Sequence, residues 1–186
     1  MVKLALVCIL IFCASISIKK ISASRSKNIA WLSVNKHKAI VFKNGNAAII
    51  LTDLKDTAKA YRYSVQPYLD SCNVNNVGLF TLNQNINIQW MEKQGGLVQF
   101  FNRRAFLVNT QLAASFSPKL GVDYIYITGN PHMQLTAVNS NFDYRLLLMD
   151  GSNSDAYIDE LKAGAVNNNI KYSVLKRNIS LVTVSN

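Results

Sequence analysis

The side chains that could do chemistry in this chain are few and widely spaced. His37 and His132 are the two histidines among 186 residues, and this number excludes a His-rich metal centre. His37 stands between Lys36 and Lys38, and we expect it to be solvated or to cap a turn. His132 follows a proline, and we expect it to begin a short helix. Neither histidine belongs to a Cys/His pair of the catalytic type.

The remaining polar groups form no familiar catalytic motif. The sequence has no G-x-S-x-G, no Walker loop and no G-x-G-x-x-G. Asp150-Gly151-Ser152 is typical of a structural turn between a strand and a helix, and its functional alternative is contact with a partner subunit. Arg103-Arg104 is typical of a solvated turn rather than of a phosphate clamp. The residues alone therefore do not predict an enzyme.

Positive charge is concentrated near the N-terminus. The formal net charge is +10, and residues 1–43 carry 8 basic residues, the last of which is Lys43, and no acidic one. Residues 44–186 carry 12 basic and 10 acidic residues, a net charge of +2. A domain that binds nucleic acid by itself should carry its positive charge on its own surface. Strong DNA binding is therefore not favoured, unless the groups Lys36–Lys43 and Arg103–Arg104 share a face.

An apolar run near the N-terminus predicts a membrane anchor. The segment Leu4–Ile18 holds no charge, and it reaches 17 residues when the two preceding side chains are counted. That length is at the lower edge of the roughly 17–25 residues that span a bilayer. We therefore predict a transmembrane anchor over residues 1–22, which contacts membrane lipid through residues 2–18, and a linker over residues 23–30. A cleaved signal peptide and a buried core helix are the alternatives.

The basic residues around this run bear on its orientation. Lys19, Lys20, Arg25 and Lys27 outweigh Lys3, and the positive-inside rule would then place the following domain in the cytoplasm. This holds only if the anchor is the sole topogenic segment. The side of the membrane on which the soluble domain lies therefore stays open, as does whether the chain is a whole protein or part of a longer polytopic one.

The rest of the chain alternates between strand-like and helix-like segments. Asn44-Gly45-Asn46 between two apolar runs predicts a tight hairpin, and the unbroken apolar run 47–51 predicts a strand buried on both faces. Helical spacing predicts a helix over 54–70 with Asp53 as its N-cap. The other predicted elements are strands over 31–34, 39–42, 86–90, 97–101, 105–108, 122–128, 145–149, 171–175 and 180–184, and helices over 132–139 and 154–167. This order predicts an α/β domain with mixed sheets over residues 31–186.

Three blocks of sequence, residues 31–53, 122–132 and 145–184, carry a family resemblance. The residues that match the family are Asn35, His37, Ala39, Ile40, Phe42, Gly45 and Asp53 in the first block, Asn130 and Pro131 in the second, and Asp150, Gly151 and Ser152 in the third. These blocks resemble the C-terminal region of competence proteins of the ComEC/Rec2 family, and most closely its Bacteroidetes branch. The resemblance covers nearly the whole chain, including the position of the predicted membrane helix.

Proteins of that family form the inner-membrane channel that passes single-stranded DNA during natural transformation. The resemblance implies that this chain corresponds to the tail of such a protein, with a single-pass location in the bacterial inner membrane. In other branches the tail is a metallo-β-lactamase-like domain, so the resemblance implies that fold in a degenerate form. The His-x-His-x-Asp-His position reads Leu54-Lys55-Asp56-Thr57-Ala58, and the His-His-Gly-Ser position reads Gly129-Asn130-Pro131-His132. The resemblance therefore implies a domain without metal ligands, without a cofactor and without catalysis.

The implied function is an accessory or structural role in DNA uptake, with the membrane-channel part of a competence protein as a partner. One alternative is a residual single-stranded-DNA-binding or nuclease-derived module. Another is a membrane-tethered interaction protein unrelated to competence. The candidate residues for contact with DNA or with a partner are Lys36, His37, Lys38, Lys43, Arg103, Arg104, Asp150 and Ser152.

Overall fold

The computed structural model describes residues 26–112, 115–177 and 180–184, together with residues 11, 12 and 15. The predicted anchor over residues 1–22 lies outside the described residues, apart from those three. Within the described part, no helix is long and apolar enough to cross a membrane. The anchor therefore stays a prediction.

The chain between residues 26 and 184 forms strands and helices in the following order. They are β1 (Lys27–Trp31), β2 (Ala39–Asn44), β3 (Ala47–Thr52), α1 (Lys59–Ser64), α2 (Gln66–Ser71), β4 (Asn76–Phe80), β5 (Ile86–Ile88), β6 (Met91–Gln94), β7 (Leu97–Phe100), β8 (Arg103–Val108), β9 (Leu120–Ile127), α3 (Leu135–Asn141), β10 (Phe142–Asp150), α4 (Asp155–Asn167), β11 (Tyr172–Leu175) and β12 (Leu181–Val184).

The strands form two mixed sheets. The five-stranded sheet has the order β12-β1-β2-β3-β4, and its strands are antiparallel except for the parallel pair β3 and β4. The seven-stranded sheet has the order β11-β10-β9-β8-β7-β6-β5. It is parallel from β11 to β8 and antiparallel from β8 to β5. The predicted α/β class with mixed sheets is confirmed.

The two sheets face each other across an apolar core and carry helices on their outer faces. Ile40 and Phe42 of β2 lie in the core between the sheets, whereas Val41 lies in the core under α1 and α2. This alternation is what the period of two along a strand requires. Helices α3 and α4 cover the outer face of the seven-stranded sheet in the same way. The domain is therefore a sandwich of four layers in the order helices, sheet, sheet, helices.

Trp31 is the largest side chain in the core between the sheets, and it is fully buried. Its ring centroid lies 5.3 Å from that of Tyr126, on the opposite sheet, and 6.4 Å from that of Phe42 on its own sheet. Aromatic pairs at these separations contribute beyond the area that they bury. The two sheets are therefore joined at the end of β1 by an aromatic cluster.

The local predictions for the first hairpin are confirmed. Asn44 pairs with Ala47 across a two-residue turn, in which Gly45 has a φ of 61°. A positive φ is why glycine is favoured at this position. In β3, Ile49 and Leu51 face the core between the sheets and Ile50 faces the helices, so the strand is buried on both faces as predicted.

Several predicted boundaries are wrong. The strand predicted over 31–34 ends at Trp31, and the helix predicted over 132–139 begins at Leu135, so His132 does not begin it. The linker predicted over 23–30 ends earlier, because β1 begins at Lys27 and pairs with β2 and β12. The strand predicted over 86–90 ends at Ile88, and the chain turns there into β6. The helix predicted over 54–70 is two short helices, α1 and α2, separated by Val65, with Pro67 in the first turn of the second.

Gly96 gives a test of the packing of the β6–β7 turn against β8. A methyl group on Gly96 would lie 2.8 Å from the backbone oxygen of Leu107, whereas a methyl group on Gly121 would contact nothing within 4 Å. We expect Gly96→Ala to lower the free energy of unfolding by about 1–3 kcal/mol, because the backbone of β8 must move. Gly121→Ala, the control, should leave it unchanged or slightly raised. Urea unfolding followed by circular dichroism measures both, and equal midpoints would contradict this packing.

Candidate functional site

A cleft of about 870 Å³ opens at one end of the sandwich, and we call this end the cleft end. The parallel strands β9, β10 and β11 all finish there, and the loop between β1 and β2 faces them. Ligands of α/β sheets bind at the carboxyl ends of the strands, so this cleft is the candidate functional site. The lining residues are Ser33, Val34, Asn35, Lys36, Ser64, Asn130, Gly151, Ser152, Asn153, Ser154, Asp155, Lys176 and Arg177.

Asp150, the last residue of β10, lies beneath the cleft and is 1% exposed. Its Oδ2 accepts hydrogen bonds from the Tyr126 hydroxyl at 2.7 Å and from the Thr128 hydroxyl at 2.6 Å. Its Oδ1 accepts from the hydroxyl and backbone N–H of Ser152, at 2.6 and 3.1 Å, and from the Asn153 amide at 3.1 Å. A carboxylate has about four acceptor sites, so these donors saturate it.

Burial is the main cause of the pKa shifts in this network. It raises the pKa of Asp150, and the hydrogen bonds from Ser152, Thr128 and Tyr126 oppose that rise. Burial also raises the pKa of the Tyr126 hydroxyl well above its ordinary value, so this hydroxyl stays protonated and donates. Because the network has all its polar groups paired in a region of low dielectric, it is rigid and joins β9 to β10.

A second layer of polar bonds connects the loops that follow these strands. The Asn153 amide donates to the backbone oxygen of Ile127 at 2.8 Å, and its oxygen accepts from the backbone N–H of Asn130 at 2.9 Å. The Asn130 side-chain oxygen accepts in turn from the N–H and the hydroxyl of Ser154, both at 3.2 Å. Ser154 is the N-cap of α4, since its hydroxyl accepts from the N–H of Tyr157. The start of α4 is thereby held against the end of β9.

Asp53 brings the first sequence block to the same end of the sandwich. Its Oδ2 lies 3.1 Å from Nδ1 of His37, and its Oδ1 accepts from the backbone N–H of Lys38 at 2.9 Å. The prediction that Asp53 caps a helix is therefore wrong, because Ala58 is the N-cap of α1 and the carboxylate bonds to the β1–β2 loop instead. The Lys38 amine lies beside Gly129, where an added methyl group would be 3.1 Å from it.

Cationic side chains border the cleft. Lys176 donates to the carboxylate of Asp155 at 2.7 Å and to the backbone oxygen of Asn153 at 3.1 Å. Lys36 and Arg177 are exposed, and neither forms an ion pair within 4 Å in the described part of the chain. Two exposed cations beside amide and hydroxyl groups can hold an anion, such as a phosphate group.

The residues of the cleft end do not fit a metal ion. Among the described residues, no group of three or more His, Cys, Asp or Glu side chains is placed to bind one. His37 is paired with Asp53, and the Nε2 of His132 lies 2.8 Å from the side-chain nitrogen of Asn130. The oxygens of Asp150 are occupied by protein donors. Metal coordination at this position would require the hydrogen-bond network to be broken.

The structure brings together five of the eight predicted contact residues: Lys36, His37, Lys38, Asp150 and Ser152. Lys43 is not among them. It is 0% exposed, its amine donates to the Ser26 hydroxyl at 2.8 Å, and its burial lowers its pKa. Lys43 therefore is not on a surface that DNA or a partner could reach, which corrects its prediction as a contact residue.

Arg103 and Arg104 also lie away from the cleft. They are the first two residues of β8, so the prediction that they form a solvated turn is wrong. Arg103 forms an ion pair with Asp123 at 3.0 Å, and the Asp123 carboxylate accepts from the backbone N–H of Arg104 as well. The Arg104 side chain donates to Gln99 at 2.8 Å. These arginines therefore do not share a face with Lys36 and Lys38.

Sequence reasoning missed several residues of the site: Tyr126, Thr128, Asn153, Lys176 and Arg177. Four of them lie within three residues of the end of a strand, namely Thr128 after β9, Asn153 after β10, and the two cations after β11. Polar residues immediately after buried parallel strands were the available signal, because such strand ends meet at one edge of a sheet.

Comparison with known proteins gives one family. A family model described as the ComEC C-terminal domain matches residues 29–185. Curated protein sequences give no match. A solved structure of a CmlA beta-hydroxylase mutant aligns with a TM-score of 0.41 and 7% identity, over 86% of this chain and 54% of that one. This chain thus spans about half the length of that structure.

Asp150 gives a test of the network. We expect Asp150→Ala to lower the free energy of unfolding by roughly 2–4 kcal/mol, because the substitution leaves several buried donors without an acceptor. Asp143→Ala, on an exposed position of the same strand, is the control and should cause no measurable change. Urea unfolding measures both variants. Equal stability of the two variants would show that the network does not hold the site together.

Proposed function

Because the chain belongs to the family of ComEC C-terminal domains, a family of competence proteins for DNA uptake, we propose that it is a membrane-anchored, non-catalytic component of DNA uptake. Its role in this proposal is structural or accessory. The anchor is the segment predicted over residues 1–22, in the bacterial inner membrane. The partner is the membrane-channel part of a competence protein.

The non-catalytic part of the proposal rests on one observation: both carboxylate oxygens of Asp150 accept hydrogen bonds from protein donors. In branches with a metallo-β-lactamase-like tail, the loops at these strand ends supply metal ligands. In this chain the carboxylate of Asp150, at one of these strand ends, accepts hydrogen bonds from Tyr126, Thr128, Ser152 and Asn153. We infer that the network replaces a metal centre as the element that joins these loops.

The layer order supports a degenerate metallo-β-lactamase-like fold as part of the same proposal. Two mixed sheets face each other with helices outside. The sequence blocks 31–53, 122–132 and 145–184, which carry the family resemblance, all reach the cleft end through the β1–β2 loop and the loops after β9 and β10. A fold derived from a metal-binding domain would bring these three blocks together at one end in this way.

A nuclease assay tests the absence of catalysis. The purified full chain is incubated with labelled single-stranded DNA and Mn²⁺, Mg²⁺ or Zn²⁺ in turn. We expect the strand to stay intact relative to a protein-free control, because the carboxylate of Asp150 is saturated and the described residues form no cluster of metal ligands. Metal-dependent cleavage that disappears in His37→Ala or Asp53→Ala would overturn the proposal, since it would locate a working metal site at that pair.

A second candidate function, single-stranded DNA binding, is favoured by the two exposed cations of the cleft. Lys36 and Arg177 are contributed by different sheets and are not held by ion pairs within the described residues. Phosphate oxygens are natural partners for such cations, and the surrounding amides of Asn35 and Asn130 could donate further hydrogen bonds.

A salt titration tests this second function. If the full chain binds labelled single-stranded DNA, Lys36→Gln/Arg177→Gln should weaken binding and lower the slope of log K against log salt by about 1.4, since each phosphate contact contributes roughly 0.7. Lys119→Gln/Arg145→Gln removes the same charge at the other end of the sandwich and serves as the control. Equal slopes for the two variants would exclude the cleft as the binding site. No binding even at low salt would leave the structural role alone.

A further inference from the structure

The end of the sandwich opposite the cleft is where the chain leaves the predicted anchor and enters the domain. Lys27, the first residue of β1, pairs with Asn44 beside the β2–β3 turn. On the other sheet this end holds the β5–β6 turn with Trp90 and the β7–β8 turn with Phe101. The Lys27 amine lies 4.1 Å from the centre of the Phe101 ring, which shows that the two sheets reach this end together. We call it the tether end.

The tether end has an apolar and aromatic centre. Trp90 and Phe101 are half-buried, and their rings stack with centroids 6.5 Å apart. Ile88 beside them is 37% exposed. Tryptophan and phenylalanine that are only partly covered by their own domain are typical of protein surfaces that meet a membrane interface.

Basic residues lie beside this centre at the same end of the sandwich, and they outnumber acidic ones. Arg145 is 78% exposed at its side chain, and its nearest acidic partner, Asp123, already binds Arg103 more closely. Lys119 is also exposed. The basic residues at this end are Lys27, Arg103, Arg104, Lys119 and Arg145, against the acidic residues Asp70, Glu92, Asp123 and Asp143. The excess of positive charge suits a surface of anionic lipid headgroups.

We propose that the tether end rests on an anionic lipid surface, with Ile88, Trp90 and Phe101 at headgroup level, and that the cleft faces away from the bilayer. This orientation rests on the proposed membrane anchor. The seven residues 19–25 between the apolar run and the described domain can span at most about 25 Å even when fully extended, so the tether end must stay close to the membrane. The eight-residue strand β9 sets the ends of the sandwich about 26 Å apart, which holds the cleft clear of the headgroups.

The two tryptophans make the test direct, because Trp31 is fully buried and Trp90 is not. The full chain is reconstituted into phosphatidylcholine vesicles with or without phosphatidylglycerol, and part of the lipid is brominated near the headgroup end of the acyl chain. We expect bromine to quench tryptophan emission, more strongly in the anionic vesicles, and we expect Trp90→Phe to abolish most of that quenching. The control is Trp90→Phe/Asn35→Trp, which moves the reporter to the cleft and should remain unquenched.

Flotation of the vesicles separates the two ways in which this orientation could fail. A chain that does not float with the vesicles overturns the membrane anchor of the proposed function, and the orientation with it. A chain that floats without quenching of Trp90 overturns the orientation and leaves the anchor in place. Quenching of the Asn35→Trp reporter instead of Trp90 would show that the cleft end is the lipid-facing one.

Discussion

The cleft end depends on one interaction, the burial of the Asp150 carboxyl group among neutral donors. A carboxyl group taken out of water costs several kcal/mol unless hydrogen bonds replace its hydration. Here the replacement comes from the end of β9, through Tyr126 and Thr128, and from the turn before α4, through Ser152 and Asn153. The bonds that keep the carboxyl group satisfied therefore also fix the position of two strand ends and one helix start. The shape of the cleft follows from the need to solvate this one group.

This arrangement separates the residues that shape the cleft from those that could hold a ligand. Asn130, Asn153 and Ser154 bond to one another and to the backbone, and they form the wall. Lys36 and Arg177 stand outside that network, so a substitution at either should leave the wall intact. In a metal centre, by contrast, the same side chains both hold the loops in place and act on the substrate through the metal. In this domain the hydrogen bonds of the described residues hold the loops without contributions from Lys36 and Arg177, so an anion-binding function could be gained or lost without effect on the fold.

Sequence reasoning succeeded where a feature is local and failed where it depends on distant pairing. The hairpin at Gly45, the strand over 47–51 and the helix after Ser154 are encoded by turn chemistry and hydrophobic period within a few residues. Asp53 was misread as a helix cap because it stands just before a helical pattern. The partners that determine its role, His37 and Lys38, lie on the β1–β2 loop, about 15 residues earlier in the chain. The Asp150 network could not be foreseen in full, since Tyr126 and Asp150 lie 24 residues apart and meet only through the parallel pairing of β9 and β10. Lys43 illustrates the same limit, because a lysine in a buried strand looks like a surface charge until the sheet is assembled.

The weak net charge of the folded part, +2 over residues 44–186, conceals how that charge is distributed. Acidic side chains are largely engaged: Asp53 with His37, Asp123 with Arg103, Asp155 with Lys176, and Asp150 with its neutral donors. Among the cations outside these pairs, Lys36 and Arg177 lie beside the cleft, whereas Lys119 precedes β9 at the opposite end, because strand register sends successive loops to one end or the other. A nearly neutral domain can therefore present one positive surface beside its cleft and another beside its tether. Net charge argues against DNA or lipid binding only when the charges are evenly spread, and here the sheet topology prevents that.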